Sequence, residues 1–176
     1  MKRQVIYYGN PLLRKRCEEV AEITDETRAL VTDLTDTMEA HNAAGLAAPQ
    51  IGVLLRVFVL HDYIIEDEGR KWSISKDVRV YINPRIEILT EEEEEASEGC
   101  ISIPKLRVDV FRPLKIKVTS LHLSGESFEE IIEGYNARVR LHENDHLNGV
   151  LNIDRTDPRT RRLIEPELRA IKKKYN

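Results

Sequence analysis

The sequence predicts an α+β fold: mainly antiparallel sheets packed around a central helix that carries an H-E-x-x-H motif, with an N-terminal and a C-terminal helix beside it. Three observations predict this. Apolar and β-branched segments fill the middle of the chain, residues 25–40 and 136–147 read as helices, and His142 and His146 lie four residues apart within the second. At 176 residues, one domain spanning 1–176 is expected, large enough to bury a core without disulfides.

Asp25 to Ala40 reads as the first helix, with Thr24 as N-cap, acids in the first turn, and Leu30, Val31, Leu34 and Met38 as its apolar stripe. His41 to Gly52 is built almost wholly of small residues, which allow close backbone approach. Strands are expected at Val53–Leu60, Val78–Ile82 and Arg85–Leu89, the last two separated by Asn83-Pro84. His61 to Lys76 is charged and reads as a surface excursion anchored by Trp72, and Thr90–Glu95 as a solvated, mobile acidic loop. Lys115–Leu123 and Ser127–Ile132 form a hairpin turned at Ser124-Gly125-Glu126. The motif helix then runs from about Asn136 to Leu147, between Gly134, which ends the preceding strand, and the cap at Gly149. Asp157-Pro158 starts a C-terminal helix that Pro166 restarts.

Composition narrows the function classes. Lys and Arg number 27 against 31 Asp and Glu, for a net charge of -4, which argues against nucleic acid as the main partner. No apolar run reaches the length of a membrane span, so a cytoplasmic setting is expected. Of the two cysteines, Cys17 sits in a charged stretch and reads as a packed or idle thiol. Cys100 follows Glu98-Gly99, a hinged turn from which a thiolate could ligate.

Four residues is little more than one helical turn, so His142 and His146 leave one face at adjacent heights and can meet one cation. Glu143 points about a quarter turn away, beside the open side of that cation, where a carboxylate can take a proton from an activated water. A third donor is needed. A histidine six residues beyond the second is ruled out, because Asn152 stands there; Glu165 and Glu167 lie downstream but flank Pro166; Cys100 offers a thiolate upstream. A closed structural zinc site would require Cys17 as a fourth ligand, and a peptidase is the rival among enzymes.

Gly45-Leu46-Ala47-Ala48-Pro49-Gln50, then Glu98-Gly99-Cys100-Ile101-Ser102, then His142-Glu143-Asn144-Asp145-His146 resemble the three ordered motifs of the peptide deformylases, and the similarity extends back to Gly9–Arg14. The short Ile103-Pro104 continuation is more similar to the bacterial type I branch. Ala43 and Leu141 depart from the family's usual glycine and glutamine. The resemblance implies removal of the formyl group from the N-terminal formyl-methionine of new polypeptides. It implies a divalent metal on Cys100, His142 and His146, iron(II) first, with zinc, nickel or cobalt as substitutes. Glu143 would be the general acid and base for an activated water attacking the formyl carbon. Gln50 and the Ile101 N–H would stabilise the formyl oxygen, Gly45 would pair with substrate backbone, and Gly99, Ile101, Val139 and His142 would line the methionine pocket. Asp145 is read as an ion-pair partner of Arg112 or as an exposed helix acid, and His41, His61 and His122 as structural or surface residues. From Arg155 onward, eight basic residues face three acids, a tail suited to the ribosome surface or simply to solvent.

Overall fold

The computed structural model describes residues 1–66 and 71–175. Its first long element is helix α1 (Asp25–Ala40), with Leu30, Val31, Leu34 and Met38 buried. The Thr24 N–H donates to Thr27 Oγ1 at 3.3 Å, closing the first turn. Seven strands follow: β1 (Gly45–Ala47), β2 (Val57–Glu66), β3 (Lys71–Ile88), β4 (Glu93–Cys100), β5 (Ile103–Pro113), β6 (Lys115–Leu121) and β7 (Ser127–Glu133). Helices α2 (Gly134–Leu147), α3 (Pro158–Leu163) and α4 (Glu165–Tyr175) complete the chain.

All strand pairs are antiparallel. One sheet has the order β1-β2-β3-β6-β7, and β4 and β5 form a separate two-stranded sheet. Helix α2 packs against β1 and β2 of the first sheet and β5 of the second. Its Ala137, Val139 and Leu147 join Phe58, Leu60, Tyr81, Ile116 and Val118 in one apolar cluster. Helix α1 covers Leu46, Val57, Val59 and Ile82, while α4 lays Leu168 and Ile171 on Leu13, Ile103, Leu106, Val108 and Val110.

The strand expected at Val53–Leu60 begins at Val57, because Leu55 instead bridges Glu18 outside the sheet. Asn83-Pro84 interrupts the register without ending the strand: Asn83 takes φ 51° and a bulge separates Ile82 from Arg85 inside a continuous β3. The Asn83 amide uses this geometry to hold both the N–H and the C=O of Val20, at 2.8 and 2.9 Å. His61 to Lys76 does not leave the sheet on either described side, since Tyr63 pairs with Ile74 and Ile64 with Ser73. Residues 67–70, and the anchoring expected of the Trp72 side chain, lie outside the described residues. The acidic run is likewise not all loop: Glu93, Glu94 and Glu95 pair with Pro113, Arg112 and Phe111 and remain exposed. A two-stranded sheet with an open face accommodates like charges that a covered sheet would reject.

The C-terminal expectations hold. Asp157 accepts the N–H groups of Arg159 and Thr160 at 2.8 and 3.1 Å to cap α3, and Pro166 lies in the first turn of α4. Tyr175 stacks on Tyr7 with ring centroids 4.2 Å apart, seating the tail against the N-terminal segment. Among the described residues, no helix is long and apolar enough to cross a membrane.

Candidate metal centre

Helix α2 sets two nitrogen donors one turn apart, and β4 ends by delivering a sulfur to them. Cys100 Sγ and a ring nitrogen from each of His142 and His146 all lie within 4.8 Å of one another. Cys100 Sγ is 3.3 Å from His146 Nε2. The Nδ1 of His142 is 2.9 Å from Glu98 Oε2, so a neutral ring that donates there presents Nε2 as its remaining lone pair.

Glu98 is itself fixed from several sides. Its oxygens accept from Arg112 Nε and Nη2 at 2.9 and 3.0 Å and from Arg138 Nη1 at 2.9 Å. Burial opposes its ionisation, but the hydrogen bonds from His142 and Arg112 outweigh burial and hold it well below the usual carboxylate range. Arg112 also donates to Asp145 at 2.6 Å, and Arg155 grips the same carboxylate at 2.6 and 2.5 Å. The pairing of Asp145 with Arg112 is therefore present and buried, and it ties α2 to β5.

Glu143 is 4% exposed, and its Oε2 has no hydrogen-bond partner among the described residues. Burial raises its pKa to about 7; the His142 charge opposes this and Glu98 adds to it. Gly45 on β1 makes room for it: a β-carbon there would lie 2.5 Å from Glu143 Oε1 and 2.9 Å from its Cγ. Burial also lowers the pKa of His146 well below its usual value, with the charges of His142 and Arg112 acting in the same direction, so this ring is neutral as a ligand must be. For His142, burial acts against the imidazolium, but Cys100 and Glu98 prevail and raise its pKa well above the ordinary value. A cation bound there displaces that proton, so proton and metal compete for the site.

Gln50 lies in a 3-10 turn (Ala48–Ile51) directly after β1. Its Oε1 accepts the Ala47 N–H at 2.9 Å, which turns Nε2 toward Ser102 Oγ at 3.2 Å and Cys100 Sγ at 3.5 Å. Asn152, six residues beyond His146, donates to the Glu98 carbonyl at 3.3 Å. Cys17 is buried with Phe58, Tyr81 and Leu147, outside the three-ligand cluster, so it supplies no fourth ligand. One cysteine sulfur and two imidazole nitrogens would suit a divalent metal, and the buried Glu143 carboxylate lies beside them.

The donors open into a cleft of about 1000 Å³ between the two sheets. Gly45, Gln50, Gly99, Cys100, Ile101, Val139, His142 and Glu143 all line it; His146 closes the site from behind, 1% exposed. Tyr63, Tyr135, Arg107, Arg138 and His41 line it too and were missed in the sequence. His41 had read as structural or surface, but its place directly after α1 brings it to the cleft. The adjacency of Arg138 to His142, one helical turn apart, was the available signal for that residue. His122 stacks on Phe128 away from the site. Leu141 packs on the apolar cluster beneath α2, and Ala43 against that beneath α1.

The polypeptide deformylase family model matches residues 2–162. The chain is 43% identical over 154 residues to the peptide deformylase of Pseudothermotoga lettingae, covering 88% of this chain and 82% of the relative. To that of Fusobacterium nucleatum it is 42% identical over 168 residues, covering 94% and 90%. The crystal structure of a peptide deformylase from Legionella pneumophila superposes with a TM-score of 0.83 at 35% identity, over 98% of this chain and 96% of that one. By motif, site geometry and extended similarity, the chain belongs to the polypeptide deformylase family.

Proposed function

We propose that this chain, acting as one catalytic domain over residues 1–176, removes the formyl group from N-terminal formyl-methionine of newly made polypeptides and releases formate. The observation that carries this is the meeting of Cys100, His142 and His146 beside the unpartnered Glu143 carboxylate, at the head of an open cleft. Cys100, His142 and His146 would hold one divalent cation. Iron(II) suits the mixed sulfur and nitrogen set, as do zinc, nickel and cobalt. When bound, the cation supplies Lewis acidity, bringing the pKa of a coordinated water near neutrality and polarising the formyl oxygen.

The chain's own groups do the rest. Glu143, with its pKa near 7, accepts the proton of the attacking water and returns it to the departing amine, a role usually worth roughly 10²–10⁴ in rate. The Gln50 side-chain amide, held by Ala47, and the Ile101 backbone N–H donate to the formyl oxygen as charge gathers there. Gly45, on the edge strand β1, pairs with the substrate backbone, which admits many sequences past the first residue. Gly99, Ile101 and Val139, with the His142 ring, surround the methionine side chain. The reaction is placed in the cytoplasm. The α4 face bearing Arg169, Lys172, Lys173 and Lys174 is the surface offered to ribosomal phosphates.

Metal-loaded, anaerobically prepared protein should release formate from formyl-Met-Ala-Ser and leave both the acetyl analogue and internal peptide bonds intact. Cleavage between residues would make the chain a peptidase instead. Glu143→Ala should retain metal and lose turnover, whereas Cys100→Ala should lose both; a fully active Glu143→Ala variant refutes the proton-transfer role. Reversing the exposed charges together, Lys172→Glu, Lys173→Glu and Lys174→Glu, followed by ribosome co-sedimentation, tests the docking surface, which unchanged binding would remove.

A further inference from the structure

The charged side chains lining the cleft divide by accessibility. Its acids, Glu98 and Glu143, are each 4% exposed, and Glu98 is already engaged by Arg112, Arg138 and His142. Arg138 is 3% exposed and donates to Glu98 and to the carbonyls of Val110 and Glu94. Lys105 and Arg107 line the same cleft and are exposed, and no ion pair of either is found among the described residues. The open charge that a peptide meets beyond the metal ligands is therefore positive.

Arg107 is also held in position. It pairs across the hairpin with Gly99, the residue before Cys100. Its Nε donates to Ser97 Oγ at 3.1 Å and its Nη2 to the Ser97 carbonyl at 2.9 Å. The remaining Nη1 lies 3.0 Å from where a β-carbon on residue 99 would stand, so the guanidinium covers that glycine. Lys105, two residues earlier, holds left-handed backbone at φ 68°, a strained conformation of the kind that collects at ligand-contacting segments. The acidic run does not cancel this charge. Glu95 is four residues from Gly99 along β4, about 13 Å at a strand rise of about 3.3 Å per residue, beyond a screening length of about 8 Å. Asp109, two residues from Arg107 on the same face of β5, is nearer but lies opposite Ser97, away from Cys100, and is outside the cleft lining.

We propose that Lys105 and Arg107 form a carboxylate-selecting subsite, favouring formylated peptides with Asp or Glu one or two residues beyond the formyl-methionine. The inference rests on the deformylase reading and deepens it. Both cations act on bound peptide away from the reacting carbonyl, so the preference belongs in KM rather than kcat.

The test uses metal-loaded enzyme and C-terminally amidated formyl-Met peptides carrying Asp, Ala or Lys at the second or third residue, with formate release as the readout. Asp peptides should exceed Ala peptides in kcat/KM by about two- to fivefold, the reach of a partly exposed ion pair, and Lys peptides should fall below both. The order should fade in about 1 M salt. Arg107→Gln should erase much of the Asp advantage, read as the ratio of Asp to Ala peptide within that variant, and Lys105→Glu, at an exposed position, should turn the order toward Lys. Equal rates for the three peptides, a Lys preference in the unaltered enzyme, or an Asp preference that survives both substitutions overturns the proposal. No formate from the Ala peptide would instead defeat the deformylase reading, and this inference with it.

Discussion

Glycine 45 is defined by what it lacks. Its absent β-carbon is the space in which Glu143 sits, so Gly45→Ala should push the carboxylate aside while leaving Cys100, His142 and His146 untouched. Since displacement of a reacting group by about 1 Å can cost about a hundredfold in rate, a comparable fall in kcat at unchanged metal content is expected; metal analysis beside the formate assay checks it. His142, Glu143 and His146 were legible from spacing, because four residues on a helix fix two rings on one side; Cys100 was not, and entered as one of several candidate donors and through the motif resemblance. Arg107 was not legible either, since nothing in a local pattern says that a lone arginine will be folded over a glycine from another strand, and the one-turn spacing of Arg138 from His142 gave its side of the helix but not its partner Glu98. Cys17 illustrates a quieter inference: despite its charged neighbours it read as a packed or idle thiol, and it is buried in the cluster that holds Phe58 and Leu147.

At the scale of elements, α1 matched its expected bounds, Asp25–Ala40, because cap, acidic first turn and apolar stripe all agree. The β4–β5 hairpin was the element missed. Five consecutive glutamates argue for solvent, yet Leu106, Val108 and Val110 alternate inward against Arg107, Asp109 and Phe111, a period-2 signal that the acidic block overshadowed. What joins this hairpin to α2 is mostly charge: Arg112 bridges Glu98 on β4 to Asp145 on α2, all within 7% side-chain exposure. Arg112→Met leaves Glu98 to Arg138 and Asp145 to Arg155, so it should cost about 1–3 kcal/mol, below the about 3–5 kcal/mol of a fully unpaired buried charge, read as a lowered urea midpoint at unchanged slope. A loss under about 1 kcal/mol would mean that Arg138 and Arg155 already suffice to neutralise them.

For the whole molecule, the buried Cys17 thiol sets an alkaline limit on stability. Burial, only partly offset by Arg56, raises its pKa from 9.0 to about 11. The folded state thus holds this proton more tightly than the unfolded chain does. Its contribution is complete below pH 9.0 and is lost as pH rises toward about 11. The stability advantage of the unaltered protein over Cys17→Ala should shrink by about 2 kcal/mol between about pH 8 and about pH 10.5; urea titrations at both values give the answer, and a constant gap would place the thiol in contact with water.

The walls of the cleft come from sheets that share no paired strand, and the proposed ligands are divided between them: one at the end of β4, two on the helix that lies against β1 and β2. A cation there is a latch as well as a reagent. Chelation should let the smaller sheet breathe, with amide deuterium uptake across Glu93–Pro113 accelerating well before that of Val57–Leu60, and reloading should quiet it again.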